Sequence, residues 1–256
     1  MASVNTIRSD IEYYIELAKG NIPGHAPDGF LGAKPNIINA FETLWDADGN
    51  ITWQTGVESL EFVSDSADDS SSGTGMQSAV VLGLDTDFKL LAVPFATNGL
   101  TPVPIAGFRR VYNVVGTGGG STERNQGTCT LRVASGGLLR ATIRPLLGRS
   151  FNGTYTVPAG MTGLIIQPTP AVEKNEDIII RNLIRFFGTS FWITGGDAPL
   201  YQSVVPVPFR VLPSFPEKTD IEVTAKSSNV QTLGSLQVEV VLVESSLVNG
   251  PMSLSL

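Results

Sequence analysis

One histidine, His25, and one cysteine, Cys129, stand among 256 residues, so few nucleophilic or general-base sites can be assembled. A Ser-His-Asp or Cys-His site would have to draw His25 from Ile22-Pro23-Gly24-His25-Ala26-Pro27, a segment poorly suited to holding an imidazole in one geometry. Cys129 lies in Thr128-Cys129-Thr130-Leu131-Arg132-Val133, an alternating strand pattern that predicts a small buried apolar side chain. Its solitude excludes an intrachain disulfide and a multi-cysteine zinc site.

Carboxylates are the remaining reactive groups, 24 in all. Asp46-Ala47-Asp48-Gly49-Asn50 opens like a calcium loop but lacks the closing bidentate glutamate, and Asp-Gly-Asn suits a turn. Asp65, Asp68 and Asp69, set among serines, offer oxygen ligands to a hard cation such as calcium. The competing reading is a solvated loop whose side chains bond their own backbone. A glycosidase needs only two carboxylates at the right separation, but Trp45, Trp53 and Trp192 fall in different segments instead of flanking one acidic pair. Gly116-Thr117-Gly118-Gly119-Gly120-Ser121-Thr122 looks like a phosphate cradle, yet it lacks the Gly-Lys-Ser/Thr ending and no helical pattern follows. No catalytic residue and no cofactor is assigned, and the chain is read as a non-enzyme.

The formal net charge of −7 repels phosphate backbones, and Lys and Arg cluster only in pairs such as Arg109–Arg110, so nucleic acid is excluded as a partner. Met1-Ala2-Ser3-Val4-Asn5 lacks the basic and apolar regions of a signal peptide. No apolar run approaches a membrane span, so no membrane partner is expected and the chain is expected to be made in a cytoplasm.

The elements that must position these groups are almost all strands. Ile7, Ile11, Tyr14, Ile15 and Ala18 recur at helical spacing and predict one short amphipathic helix over residues 6–19, capped by Asn5 or Ser9. Prolines and glycines between Gly20 and Pro35 argue against regular structure there. Phe30, Phe41, Trp45 and Trp53 load this segment with apolar surface. It either lies on its own domain or reaches into an adjacent subunit, where these four would be subunit contacts. From Glu58 onward strand signals repeat at short intervals. Tyr155-Thr156-Val157 and Leu164-Ile165-Ile166 flank Pro158-Ala159-Gly160 as a hairpin would. Thr219–Ala225 and Gln237–Val240 alternate as strands with one wet and one buried face. The expectation is an all-β chain: an antiparallel, jelly-roll-like β-sandwich over residues 58–247, open to division into two sub-domains meeting near 116–150. A helix and extended arm over 1–57 precede it, and a tail over 248–256 follows.

Several stretches form a familiar series: Gly20-Asn21-Ile22-Pro23-Gly24-His25, Glu42-Thr43-Leu44-Trp45-Asp46 and Val63-Ser64-Asp65-Ser66-Ala67-Asp68-Asp69. Asn98-Gly99-Leu100-Thr101-Pro102-Val103, Tyr155-Thr156-Val157-Pro158-Ala159-Gly160 and Glu217-Lys218-Thr219-Asp220-Ile221-Glu222-Val223 continue it. In this order, from near residue 20 to near 243, they resemble virion structural proteins of tailed bacteriophages, common among phages of aquatic bacteria. The resemblance implies a capsid decoration (cement) protein, a head fibre, or a collar or tail appendage. It further implies a jelly-roll-like sandwich, a homotrimer, and contact with the major capsid protein or another virion protein. It carries no catalytic residue. The cement reading predicts that removing residues 1–57 leaves a folded β body that no longer joins the particle.

Overall fold

The computed structural model describes residues 10–173, 176–201, 212–228 and 232–248. A helix, α1 (Asp10–Ala18), precedes β1 (His25–Ile37) and the two-residue β2 (Glu42–Thr43). Then come β3 (Glu58–Ser64), β4 (Met76–Leu84), β5 (Leu90–Ala96), β6 (Val103–Phe108), β7 (Arg110–Gly119), β8 (Cys129–Val133) and β9 (Leu139–Ile143). The chain continues through β10 (Thr154–Thr156), β11 (Met161–Val172), β12 (Asp177–Arg185), β13 (Ile193–Tyr201), β14 (Ser214–Phe215), β15 (Asp220–Ser227) and β16 (Thr232–Glu244). The chain is mostly β with one short helix near the N-terminus, as its pattern predicts.

Among the described residues the strands form four small antiparallel sheets, a blade-like subdivision in place of the clear jelly-roll-like sandwich expected from sequence. Sheet I runs β1-β16-β11-β14, and sheet II runs β10-β15-β12-β13 with β2 on β15. Sheet III runs β6-β3-β8-β9 and sheet IV runs β5-β4-β7. They share two cores. Phe30, Leu236, Val238 and Val240 of sheet I meet Ile178, Ile180, Ile184 and Val223 of sheet II. Leu60, Phe62 and Leu131 of sheet III meet Ala79, Val81 and Val114 of sheet IV. The second pair, β3 to β9, is thus inserted in the chain between β2 and β10 of the first. Alternation in the sequence marks strands but does not say which face pairs with which sheet, so the insertion was invisible.

The boundary expected at residue 57 does not set off an arm. β1 is the edge strand of sheet I, in register with β16 from His25 opposite Val243 to Ile37 opposite Thr232. Phe30, Ile37 and Leu44 are buried in the first core. Pro27 and Pro35 argued against regular structure, but an edge strand leaves half its N–H groups outside the ladder and tolerates proline. Gly32 is required there: a Cβ would stand 2.6 Å from the Leu44 carbonyl oxygen. Removing residues 1–57 would therefore strip an edge strand and core side chains from the body, contrary to the expectation of a folded remnant.

The hairpin expected around Pro158-Ala159-Gly160 is a corner instead. β10 pairs with β15 in sheet II, while β11 pairs with β16 and β14 in sheet I. The turn carries the chain from one layer to the other, with Gly160 at φ 79. At the end of α1, Gly20 has φ 73, its N–H reaches the Leu17 carbonyl at 3.0 Å and Asn21 N–H reaches the Glu16 carbonyl at 2.9 Å. That double bond pattern closes the helix C-terminus. Leu17 packs on Val241 and Val243, the outer side of sheet I. Asn5, Ser9 and residues 249–256 lie outside the described residues. No helix among the described residues is long and apolar enough to cross a membrane.

Candidate functional site

The densest polar chemistry lies where the two sheet pairs meet. Asp220 on β15 accepts from Arg110 on β7 through Nε and Nη2, both at 3.0 Å. It also accepts from Arg185 Nη2 on β12 at 2.6 Å and from Thr156 Oγ1 at 2.6 Å. Arg110 Nη1 donates to the Gln54 carbonyl at 2.7 Å. Two residues along the strand, Glu222 accepts from Thr43 Oγ1 and from Trp53 Nε1, each at 2.6 Å. Arg110 and Arg185 stand 5.4 and 5.2 Å from the Trp53 ring centroid, and Trp192 lies 5.3 Å from Trp53.

Within the inserted pair, Arg140 on β9 forks onto Glu58 of β3 at 2.6 Å through both Nε and Nη2, and it holds the incoming segment by donating to the Thr52 carbonyl. Further contacts lie between the two halves. Arg144 Nε meets Asp46 at 2.8 Å, whose other oxygen accepts from Phe151 N–H at 3.1 Å. Tyr112 donates to the Thr156 carbonyl. Phe88, between β4 and β5, sits at φ 61 with 5% of its surface exposed. Its carbonyl accepts from Ala159 N–H at 2.9 Å, and Arg109 lies 5.0 Å from its ring centroid. A phenylalanine in left-handed backbone is strained, and here the strain seats its ring between the halves.

Burial pushes the Asp46 carboxyl up to about 6, against the opposing pull of Arg144 and the Phe151 N–H. Burial likewise raises Glu222, with Thr43 and Trp53 opposing. Asp220 Oδ1 accepts from two donors, and Oδ2 accepts from Arg110 Nη2 and from both Nε and Nη2 of Arg185. The cavity beside Trp53, Gln54, Arg110 and Arg140 holds only about 20 Å³, room for a single water at most. The cluster joins the two bodies around this small space.

The calcium candidates do not converge. Asp69 is fully buried, and its oxygens accept from Met76 N–H at 2.9 Å, Gln126 N–H at 2.8 Å, Ser64 Oγ at 2.7 Å and Gly127 N–H at 2.9 Å. Burial alone would raise its carboxyl, but these four bonds outweigh it and hold it below the ordinary value. Asp65 accepts from Thr128 N–H at 2.7 Å, and Asp68 is exposed. Donors, not a cation, fill the coordination of Asp69. No group of three His, Cys, Asp or Glu able to hold a metal occurs among the described residues.

Cys129 is buried as its strand pattern predicts, and burial lifts its thiol to about 12. The Gly-rich run is largely strand β7, and close packing accounts for it. A Cβ on Gly118 would stand 2.6 Å from Ser78 Oγ, and one on Gly120 would stand 2.4 Å from the Gly73 carbonyl oxygen.

The four aromatics expected at a subunit contact are engaged within their own chain. Phe30 stacks on Tyr155 at 5.4 Å, and Trp45 is buried with Nε1 on the Gly49 carbonyl at 3.0 Å. Phe41 lies 3.9 Å under Arg181, and Trp53 belongs to the seam. Phe30 on β1 and Trp45 after β2 are buried inward, while Phe41 and Trp53 are half-buried.

Sequence reasoning missed the seam because Arg110 and Asp220 are 110 positions apart. One local sign was present and misread. The polar face of Thr219–Ala225 looked wet, yet Asp220, Glu222 and Thr224 are all buried, bonded to Arg110, to Thr43 and Trp53, and to the Arg181 carbonyl in turn.

No family model and no curated protein matches the chain. Among solved structures, a chain from the structure of infectious bursal disease virus Gx strain is similar at 10% identity and a TM-score of 0.25. That match covers 91% of this chain and 74% of that one; a score this low carries no argument.

Proposed function

We propose that this chain is a non-enzymatic structural protein of a virion, most specifically an outer capsid decoration protein that stabilises the shell through protein contacts. One observation carries the structural role. The buried charges bond one another across the two sheet pairs, around a cavity of about 20 Å³, so the ionic chemistry goes into joining two bodies. The virion setting comes from the motif resemblance. A net charge of −7 suits the outside of a shell better than contact with packaged nucleic acid. The partners on this reading are other copies of the chain and the major capsid protein or another virion protein.

The test is add-back. Particles produced without the protein are mixed with purified chain, and binding and resistance to heat are measured. Binding over the whole shell with a higher disruption temperature supports decoration. A chain that does not bind particles refutes the virion role.

A second reading, a head-fibre, collar or tail appendage that binds a host receptor or glycan, is favoured by a different observation. Phe187 and Phe191, at the turn between β12 and β13, are 57% and 73% exposed, and exposed aromatic surface marks contact sites. Labelling confined to one vertex or to the tail, with loss of host adsorption on Phe191→Ser, would select this reading.

A further inference from the structure

We propose that the chain self-associates as a two-fold dimer through the loop 144–149 and the hollow beside it; this rests on the reading of the chain as a structural subunit. Leu146 lies in left-handed backbone at φ 68 with 53% of its surface exposed, and Leu147 beside it is also exposed. An apolar residue in that region is strained, and its exposure gives nothing back within the chain.

The loop is nevertheless fixed. Buried Asn125 donates to the Arg144 carbonyl at 2.9 Å and accepts from Gly148 N–H at 2.9 Å. The Asn125 carbonyl accepts from Leu146 N–H at 2.9 Å, and the Gly148 carbonyl from Gly116 N–H at 2.8 Å. An apolar tip held in one conformation by buried hydrogen bonds is preorganised for contact.

Arg149 follows the tip. Its buried Nε has no hydrogen-bond partner, and its guanidinium stands 5.6 Å from the Phe151 ring centroid with no ion pair among the described residues. It faces an open hollow of about 400 Å³ over the β1–β16 pair, whose walls include Leu31, Val238 and Glu239. Glu239 also forms no ion pair among the described residues. Asp28 lines the hollow too, but its oxygens are engaged by Tyr155 and the Gly29 N–H.

An unpaired cation and an unpaired anion therefore face one partly apolar hollow without reaching each other. Such a patch is complementary to itself. Turned about a two-fold axis, a second copy lays its Leu146–Leu147 tip over this hollow and brings Arg149 to Glu239 of the partner subunit, and the reciprocal pair forms with it. The local pairing works against the general repulsion of two chains of charge −7. Pairing along β13, an edge strand of sheet II among the described residues, is a poorer route, since it carries Asp197 and Pro199.

The experiment is sedimentation of the full chain over a concentration series. The wild type is expected to be a dimer. Arg149→Glu should weaken its association at least roughly tenfold, and adding Glu239→Arg should restore it. Leu146→Gly relieves the backbone strain while removing the tip, so dimer loss in that variant does not come from unfolding. A monomeric wild type, a mass no variant alters, or a charge swap that restores nothing overturns the proposal. Particle binding is scored separately. A monomer that binds particles overturns the dimer alone, and a dimer that does not bind them overturns the virion role alone.

Discussion

Replacing Arg110 by methionine isolates the connection between the two sheet pairs. Methionine keeps most of the apolar stem, so the packing against Trp53 is largely retained. Lost are two charge-assisted bonds to Asp220 and the Nη1 bonds to the Gln54 and Arg109 carbonyls. Removing one partner of a buried ion pair costs about 3–5 kcal/mol because the other charge is left uncompensated. Asp220 keeps Arg185 and Thr156, which places the loss near the lower end, about 3 kcal/mol. A domain of ordinary stability has only about 5–15 kcal/mol in hand. Urea unfolding followed by tryptophan fluorescence reads the change directly, since Trp53 and Trp192 sit at the seam. The inserted pair should also uncouple, giving a broader transition with a smaller slope than the wild type. Arg185→Met, a link within sheet II to the same carboxylate, should lower the midpoint without broadening the transition. A loss under about 1 kcal/mol for Arg110→Met, with a single transition of unchanged slope, would refute the seam as the element that couples the halves.

Three further outcomes follow from the same geometry. The folded-state carboxyl of Asp46 titrates near 6, above its unfolded value of 3.8, so the folded chain binds a proton that the unfolded chain does not between those two values. Stability should therefore rise by about 1.4 kcal/mol from Asp46 alone as pH falls from 7.5 toward 5, with Asp28 and Glu222 shifted in the same direction; a urea midpoint that falls over that window contradicts the assignment. Asp69→Ala strands the N–H groups of Met76, Gln126 and Gly127 and should cost about 3 kcal/mol or more, while calcium or a chelator should leave the wild-type melting temperature unmoved. A chain beginning at Glu58 should lose part of its near-ultraviolet circular dichroism and bind hydrophobic dyes, because β1, Ile37 and Leu44 are missing from the first core while the second core is complete; a melt as sharp and as high as the full chain's would contradict that.

What the sequence made legible was local. Period-two alternation marked most strands, Gly20 after Lys19 marked the helix end, and the setting of Cys129 marked a buried thiol, because each depends on near neighbours along the chain. Pairing did not have that property. Pro158-Ala159-Gly160 supports a hairpin turn and a corner between layers equally well until the partners of β10 and β11 are known. The same limit hid the seam, whose members come from residues 43, 53, 110, 156, 185, 220 and 222. Phe30 and Trp45 show the opposite failing: their size was read correctly as demanding burial, and only the direction of that burial was open.

The seam is also the reason a chain with so little reactive chemistry still buries ionised groups. A buried ion pair is weak evidence for stability, since apolar residues of like volume often serve as well or better. What an apolar interface lacks is a single register, because two greasy sheet faces can slide against each other at small cost. Arg110 of the inserted pair meets Asp220 of the first pair through a planar fork at 3.0 Å on both arms. Such a fork is satisfied in one relative placement only. That fork, the Tyr112 bond to the Thr156 carbonyl and the strained Phe88, whose carbonyl accepts from Ala159 N–H, hold the sheet pairs against sliding and rotation. Rigidity of that kind serves a body that must present fixed contact surfaces. The preorganised loop at Leu146 and the hollow beside Arg149 are surfaces of that sort, and they keep their geometry only as long as the two halves keep theirs.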